Sequence, residues 1–359
     1  MEDKVLTEEE KAKLRKERRK RRKYRLLILL LLLLGTGTML ATSTYAWFTS
    51  NKNVSVNSIT VNIEAKNGIQ ISADGTNWKS IVQTSDLTGV HTTTYTSSVN
   101  QIPNILEPVS TIDVANEDGG LTMYYGTVDT SESETNNGEY ILTAVESEEK
   151  EGTEGQFIAF DLFFKVNAET PLYLVAGSGA TASATDTGIK NASRIGFVVK
   201  GNTADGSAIN VIQGLNNQAS STVYIWEPNY DVHTNSGVAN AKDVYGIETT
   251  TTNGAAVPYS GVKAEIPEDA DILLGKATAA DNGTYFAEVT PDYKTVAGFT
   301  TYQPIFSLAT GITKIRIYMW VEGQDVDCEN SASGGAITFD LKISTENPDA
   351  EEEAGGEGA

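Results

Sequence analysis

The stretch KIRIYMWV at residues 314–321 sets the fold class of this 359-residue chain. Its odd-numbered residues are all aliphatic or Met, whereas its even-numbered residues are aromatic or charged. Successive side chains of a β-strand point to opposite faces of the sheet, so the pattern predicts a strand with one face toward an apolar core. Two sheets that pack such faces together form a sandwich, and we predict that arrangement here.

Working outward, nine further segments have the β-branched and aromatic composition of strands, and turn-forming pairs separate them. No window has the 3.6-residue apolar period of a long helix. With 314–321, the predicted strands are 54–65, 121–128, 140–145, 156–166, 172–175, 194–200, 222–226, 285–289 and 336–343.

The segments at both ends of this region are strong strands, which favours one domain at 47–344 over two. Asp74-Gly75 predicts a hairpin between residues 68–73 and 76–81, because Gly accepts the positive φ of a tight turn. The Gly-, Asn- and Thr-rich stretches 201–221, 234–260 and 276–284 are interpreted as insertions between strands.

Composition excludes several classes of protein. The chain has 27 Lys and Arg against 48 Asp and Glu, and its thiol and imidazole groups are limited to Cys328, His91 and His233. A disulfide framework or a Cys/His zinc site needs more ligands than these. A net charge of −21 repels phosphate, so we expect no nucleic-acid partner.

The charge is divided between two parts of the chain. Residues 1–25 carry 12 Lys or Arg and 6 Asp or Glu, a net of +6, so the other 334 residues carry 15 and 42, a net of −27. A nearly pure leucine run follows at 26–34. A basic stretch before an apolar run stays in the cytoplasm and directs the following chain outward, so 1–46 is predicted to export the body.

The N-terminal segment 1–46 is either cleaved off or retained. Small residues Thr44 and Ala46 flank Tyr45 as a signal peptidase requires, which favours cleavage between Ala46 and Trp47. Alternatively, residues 26–48 remain as a membrane anchor with an aromatic belt at its end.

At the other end of the chain, 345–359 is acidic and poor in apolar residues, so we predict a disordered tail.

The segment STYAWFTSN at 43–51 resembles the signal-peptide junction of the TasA and camelysin group of Gram-positive surface proteins, which a SipW-type peptidase cuts. The phrases ILEPVST (105–111), IWEPN (225–229) and IYMWVEGQDVDC (317–328) look like those of larger surface proteins with the same type of signal. The resemblance implies an exported, jelly-roll-like β-sandwich at the cell surface or in the extracellular matrix of a biofilm. It also implies assembly into fibres by passing a terminal strand to a neighbour.

Residues 54–63 are the candidate for that strand, because cleavage would leave them near a new N-terminus, free to pair with either their own sheet or another chain's edge. Their apolar residues change parity midway, which predicts a bulge, a kink or burial of both faces. A proline at Val61 is expected to remove a ladder donor. The proposed donor residues are Val54, Val56, Ile59, Val61 and Ile63.

Catalytic motifs are absent from the sequence, and we predict no enzyme. No H-E-x-x-H or G-x-S-x-G motif occurs in a suitable context, and His91 and His233 lie in turn-like segments that are expected to be exposed. Asp327 and Glu329 flank Cys328 and would raise the pKa of its thiol.

Calcium is the one cofactor with some support. Asp325, Asp327 and Glu329 alternate after a strong strand, like the start of a calcium loop, although a solvated acidic turn has the same pattern.

Two functions remain open. The first is a cell-surface structural or matrix protein; the alternative is a monomeric adhesin or carbohydrate-binding module, and an extracellular hydrolase is more remote. The alternative would use exposed aromatic residues, although side chains at this spacing more often fill a core. Those residues are Trp226, Tyr230, Tyr318 and Trp320.

Overall fold

A computed structural model describes residues 56–66, 68–88, 94–129, 141–183, 188–217, 222–270, 272, 283–294, 303–328 and 335–348. The chain divides into two units, 1–45 and 46–359, and all described residues belong to the second. The predicted cleavage site at Thr44, Ala46 and Trp47, the possible anchor 26–48, Val54, His91, Glu329 and the tail beyond 348 lie outside the described residues.

The described residues form sixteen strands and little helix, as an all-β chain should. The strands are β1 (Val56–Ala65), β2 (Gln70–Ser72), β3 (Ile81–Gln83), β4 (Met123–Asp129), β5 (Ile141–Ser147), β6 (Ile158–Val166), β7 (Thr170–Leu174), β8 (Gly179–Ala182), β9 (Ser193–Thr203), β10 (Val223–Glu227), β11 (Tyr259–Val262), β12 (Phe286–Val289), β13 (Tyr293–Lys294), β14 (Phe306–Leu308), β15 (Gly311–Val321) and β16 (Gly335–Ser344). The helices are α1 (Thr84–Thr88), α2 (Ile209–Gln213), α3 (Asn235–Tyr245) and a 3-10 turn at Glu268–Ala270.

Twelve strands form two sheets. Sheet A has the order β14-β7-β16-β1-β3, with β8 also paired to β16, and sheet B has the order β13-β10-β9-β15-β6-β2. From β6 onward the chain crosses repeatedly between the sheets, with β6, β9, β10 and β15 in sheet B and β7, β14 and β16 in sheet A, in the manner of a jelly roll. The predicted fold class is therefore confirmed, with one departure: β1 runs parallel to β16.

The main core lies between the two sheets. Alternate residues of β1, namely Val61, Ile63 and Ala65, are buried there, whereas Thr60 and Asn62 are half-buried on the other face. The register of β1 against β16 shifts between Val56 and Ser58. A bulge at this point explains the change of parity in the sequence, so the predicted bulge is confirmed.

A second core covers the other face of sheet B. Two hairpins, β4-β5 and β11-β12, pack over it, and their residues Met123, Tyr259 and Val289 contact the aromatic side of β15. All eleven residues of β15 are consequently buried. The predicted alternation is right, because the aliphatic residues enter the first core and Tyr318 and Trp320 the second.

All ten predicted strands occur, with ends shifted by up to three residues; six short strands were missed. The hairpin around Asp74-Gly75 is present, since Ile71 pairs with Lys79 in antiparallel fashion and Gly75 has a φ of 71°.

Helix α3 lies in a stretch interpreted as an insertion. Its signals are local: Thr234 Oγ1 accepts from the Gly237 N–H at 2.8 Å, and Gly246 ends the helix at a φ of 68°.

Candidate functional site

The β1 seam, which we define as β1 with its two neighbouring strands β16 and β3, contains the described part of the predicted donor strand. Nine register pairs join β1 to β16 in parallel, from Val56 opposite Gly335 to Ala65 opposite Ile343. Only three pairs join β1 to β3, in antiparallel fashion. In this single chain, residues 56–65 therefore form a strand of their own sheet, and their donation to another chain stays a prediction.

Backbone hydrogen bonds of β1 alternate between its two neighbours. The Val61 N–H donates to Thr84 Oγ1 at 2.8 Å, and the Ala65 N–H donates to the Ser80 carbonyl at 2.7 Å, both on the β3 side. Even-numbered residues of β1 thus direct their N–H groups toward β16. The expectation that a proline at Val61 would remove a ladder donor is wrong, because that N–H bonds to a side chain.

The loop after β15 contains the described part of the predicted calcium site. Asp325 and Asp327 are buried, so the alternative of a solvated acidic turn is wrong. The Asp325 carboxylate accepts a hydrogen bond from Arg194 Nη2, which also lies 3.0 Å from Glu227 Oε1. Asp327 Oδ1 accepts from the Thr234 N–H at 2.6 Å.

His233 contacts this loop from the other side. It is 6% exposed, which contradicts the expected exposed position, because its Nδ1 lies 2.8 Å from Asp327 Oδ2 beside the start of α3. Burial alone would lower the pKa of His233, but the hydrogen bond and charge of Asp327 raise it above its ordinary value. The loop carboxylates therefore bind protein donors.

Within the described ranges, no group of three or more His, Cys, Asp or Glu side chains is arranged to hold a metal ion. Glu329 lies outside those ranges, so calcium at Asp325, Asp327 and Glu329 stays a prediction.

Two further acids of this cluster have shifted pKa values. Burial raises the pKa of Glu322 to about 7, although hydrogen bonds from Trp320 Nε1 and the Gln324 N–H oppose the shift. Burial also raises the pKa of Glu227 to about 7. The negative charge of Asp325, which shares Arg194 with it, acts in the same direction. The pKa values of these two acids are far from ordinary, yet both side chains are buried and not in a cleft. This combination indicates a structural ion network.

The aromatic residues assigned to carbohydrate binding do not form a surface. Trp226, Tyr318 and Trp320 are fully buried, and Tyr230 is half-buried. The core interpretation is confirmed for Trp226, Tyr318 and Trp320, and the carbohydrate-binding alternative keeps only Tyr230 of the four side chains.

Among the residues described by the structure, no helix has the length and apolar character needed to cross a membrane. No protein-family model, curated protein or solved structure matches this chain. The resemblance at 43–51 therefore stays a prediction.

Proposed function

We propose that this chain is an exported cell-surface structural protein whose body assembles by exchange of β1 between copies. Export is supported by the basic stretch that precedes the apolar run of the head. Assembly is supported by the seam, in which one long strand has nine of its twelve register pairs with a single partner.

Strand exchange preserves the contacts of the seam. When β1 leaves its own sheet and enters the same position in a neighbour, the same side chains enter the same core and the same ladder forms, as in domain swapping. The chain between β1 and β2 includes Gly68, with a φ of 81° and open space around its Cα, so the turn has room to rearrange.

The edges of the two sheets favour exchange over simple edge pairing. The strands at the ends of the two sheets, β14, β3, β13 and β2, are two or three residues long, and β8, which pairs only with β16, has four. Short edge strands give a neighbouring chain few N–H and C=O groups to bind. The strand with enough length to hold two subunits together is β1.

The body, residues 47–359, should form concentration-dependent polymers that are visible by electron microscopy and by sedimentation. A synthetic peptide of residues 54–65 should fill the groove left by β1 and shorten the polymers, whereas a scrambled peptide of the same composition should have no effect. A body that stays monomeric at all concentrations would contradict strand exchange and support the monomeric adhesin.

Export has a separate test. Protease added to intact cells should digest the body, because it faces outward, and should spare any head that remains in the cytoplasm. A body that resists until the cells are lysed would contradict export, whatever its state of assembly.

A further inference from the structure

A polar cavity of about 310 Å³ opens on the outer face of sheet B, beside the second core. Strands β6, β9 and β15 form its floor, and residues 95–99, 116–121 and 146–149 form its walls. Three cations lie on the floor, Lys200, Lys314 and Arg316, together with the buried carboxylate of Asp161. This concentration of positive charge is unusual in a body whose net charge is −27.

Lys200 lies on the same face of β9 as Val198, at a β-bulge. The register of β9 against β15 shifts so that Val199 pairs with Ile315 and Gly201 with Lys314, which leaves Lys200 as the extra residue. Gly201 has a φ of 153°, and a Cβ there would lie 1.9 Å from Asn217 Oδ1. Bulges occur next to functional sites, and this one lies where β9 brings a third cation beside Lys314 and Arg316.

Two of the three cations form ion pairs with carboxylates of the protein. Lys314 Nζ lies 3.0 Å from Asp161 Oδ2, 2.8 Å from Tyr95 Oη and 2.9 Å from the Gln213 carbonyl. Arg316 donates to Asp161 Oδ1 at 2.9 Å, to the Val99 carbonyl at 3.1 Å and to the Glu149 carboxylate. All three donors of Lys314 are therefore used, and Arg316 uses four of its five.

Lys200 differs from both. Its Nζ donates to the carbonyls of Asp118 and Gly119, at 2.6 and 2.7 Å, and it forms no ion pair with any described residue. An ammonium has three donors, so one remains for a ligand. Burial lowers the pKa of Lys200 and the charge of Asp161 opposes this shift, while repulsion by Lys314 and Arg316 lowers the pKa further. A bound anion would relieve that repulsion.

The mouth of the cavity has the opposite charge. Asp118 and Glu146 line it, and both residues are exposed. A ligand with net negative charge would approach against these carboxylates and against the charge of the whole body. A ligand with one positive and one negative group has no net charge and avoids this repulsion. Its negative group can bind at the floor of the cavity and its positive group at the mouth.

We propose that this cavity binds a small zwitterion, an α-amino acid, with its carboxylate on Lys200 and its ammonium group near Glu146 and Asp118. The volume lies at the lower end of the range for ligand pockets, which suits one small molecule. The polar lining gives little apolar surface for a hydrophobic ligand. The proposal does not depend on strand exchange.

Three ligands separate the two charges: L-serine carries both, N-acetyl-L-serine only the carboxylate and L-serinamide only the ammonium group. Titration calorimetry with the unaltered protein should show binding of L-serine, and each blocked analogue should bind at least about tenfold more weakly, since each loses one charge-assisted contact. Absence of L-serine binding at about 10 mM, or equal binding of N-acetyl-L-serine, overturns the proposal.

Variants then locate the site. Lys200→Met should abolish binding of L-serine, and Glu146→Gln should weaken it, while the matched control Lys242→Met, on the exposed face of α3, should bind as the parent does. Unchanged binding by a folded Lys200→Met protein overturns the assignment. If that variant fails to fold, the comparison of the three ligands on the parent protein decides the question alone.

Discussion

The centres of the two sheets are built differently. In sheet B, β15 is paired on both sides along nearly its whole length, with nine register pairs to β6 and ten to β9. In sheet A, β1 has nine pairs on one side and three on the other. Sheet B is also covered by a second core and crossed by buried ion pairs. The central strand of sheet B is therefore held on both sides, whereas sheet A contains a long strand that is held mainly by one partner.

The ion network of sheet B should give the largest effect on stability. Replacing Arg194, which is fully buried between Glu227 and Asp325, leaves two carboxylates without their cation. Arg194→Met should therefore lower the free energy of unfolding at pH 7 by about 3–5 kcal/mol, measured by urea denaturation.

The matched control for this change is Lys242→Met, which breaks an ion pair between exposed side chains, Lys242 and Glu248. It should lower stability far less than Arg194→Met does, because water screens the pair. Similar losses for the two variants would show that the buried network does not hold sheet B together.

The pH dependence of stability should come next in size. Because the pKa of Glu322 rises from its ordinary value near 4.5 to about 7 on folding, the folded state binds more protons between these values. Stability should therefore fall as pH rises through this window, by up to about 3 kcal/mol. The raised pKa of Glu227 acts in the same direction.

Glu322→Gln removes the charge while keeping the shape of the side chain. The variant should be more stable than the parent at pH 8, and its melting temperature should change less between pH 5 and pH 8. A parent protein whose melting temperature rises with pH over this range would contradict the assigned shift.

Native-state hydrogen exchange should separate the two central strands directly. Amides of β15 should exchange only through global unfolding, whereas those of even-numbered β1 residues should exchange through local opening that costs roughly 1–2 kcal/mol less. The measurement is made residue by residue by NMR. Equal protection of β1 and β15 would remove the distinction between the two sheets.

The sequence predicts the long strands because each contains enough alternating residues to specify its faces, as residues 314–321 do. Strands of two to four residues have no such periodicity, and their pairing depends on distant segments: β13 is defined by Trp226 and Glu227 of β10. The same limit applies to the loop after β15. Its acidic spacing is visible in the sequence, but the partners Arg194 and His233 lie more than 90 residues away.

The cavity on sheet B was missed for a related reason. The proximity of Lys200 to Lys314 and the bulge at this position appear only when β9 and β15 are paired. A glycine directly after a lysine in a strand is a weak signal of such a bulge, and it is the only local one here.

The central claim, that β1 is exchanged between copies, is tested by a disulfide across the seam. Thr60 and Thr338 are register partners with half-buried side chains, and neighbouring strands lie within the Cα spacing that a disulfide requires. Thr127→Cys/Thr143→Cys, in the β4-β5 hairpin, is the intrachain control. When assembled Thr60→Cys/Thr338→Cys protein is oxidised, a non-reducing gel should show a ladder of covalent multimers, while the control gives monomers. Quantitative oxidation of such polymers that yields only monomers would mean that each β1 stays in its own chain.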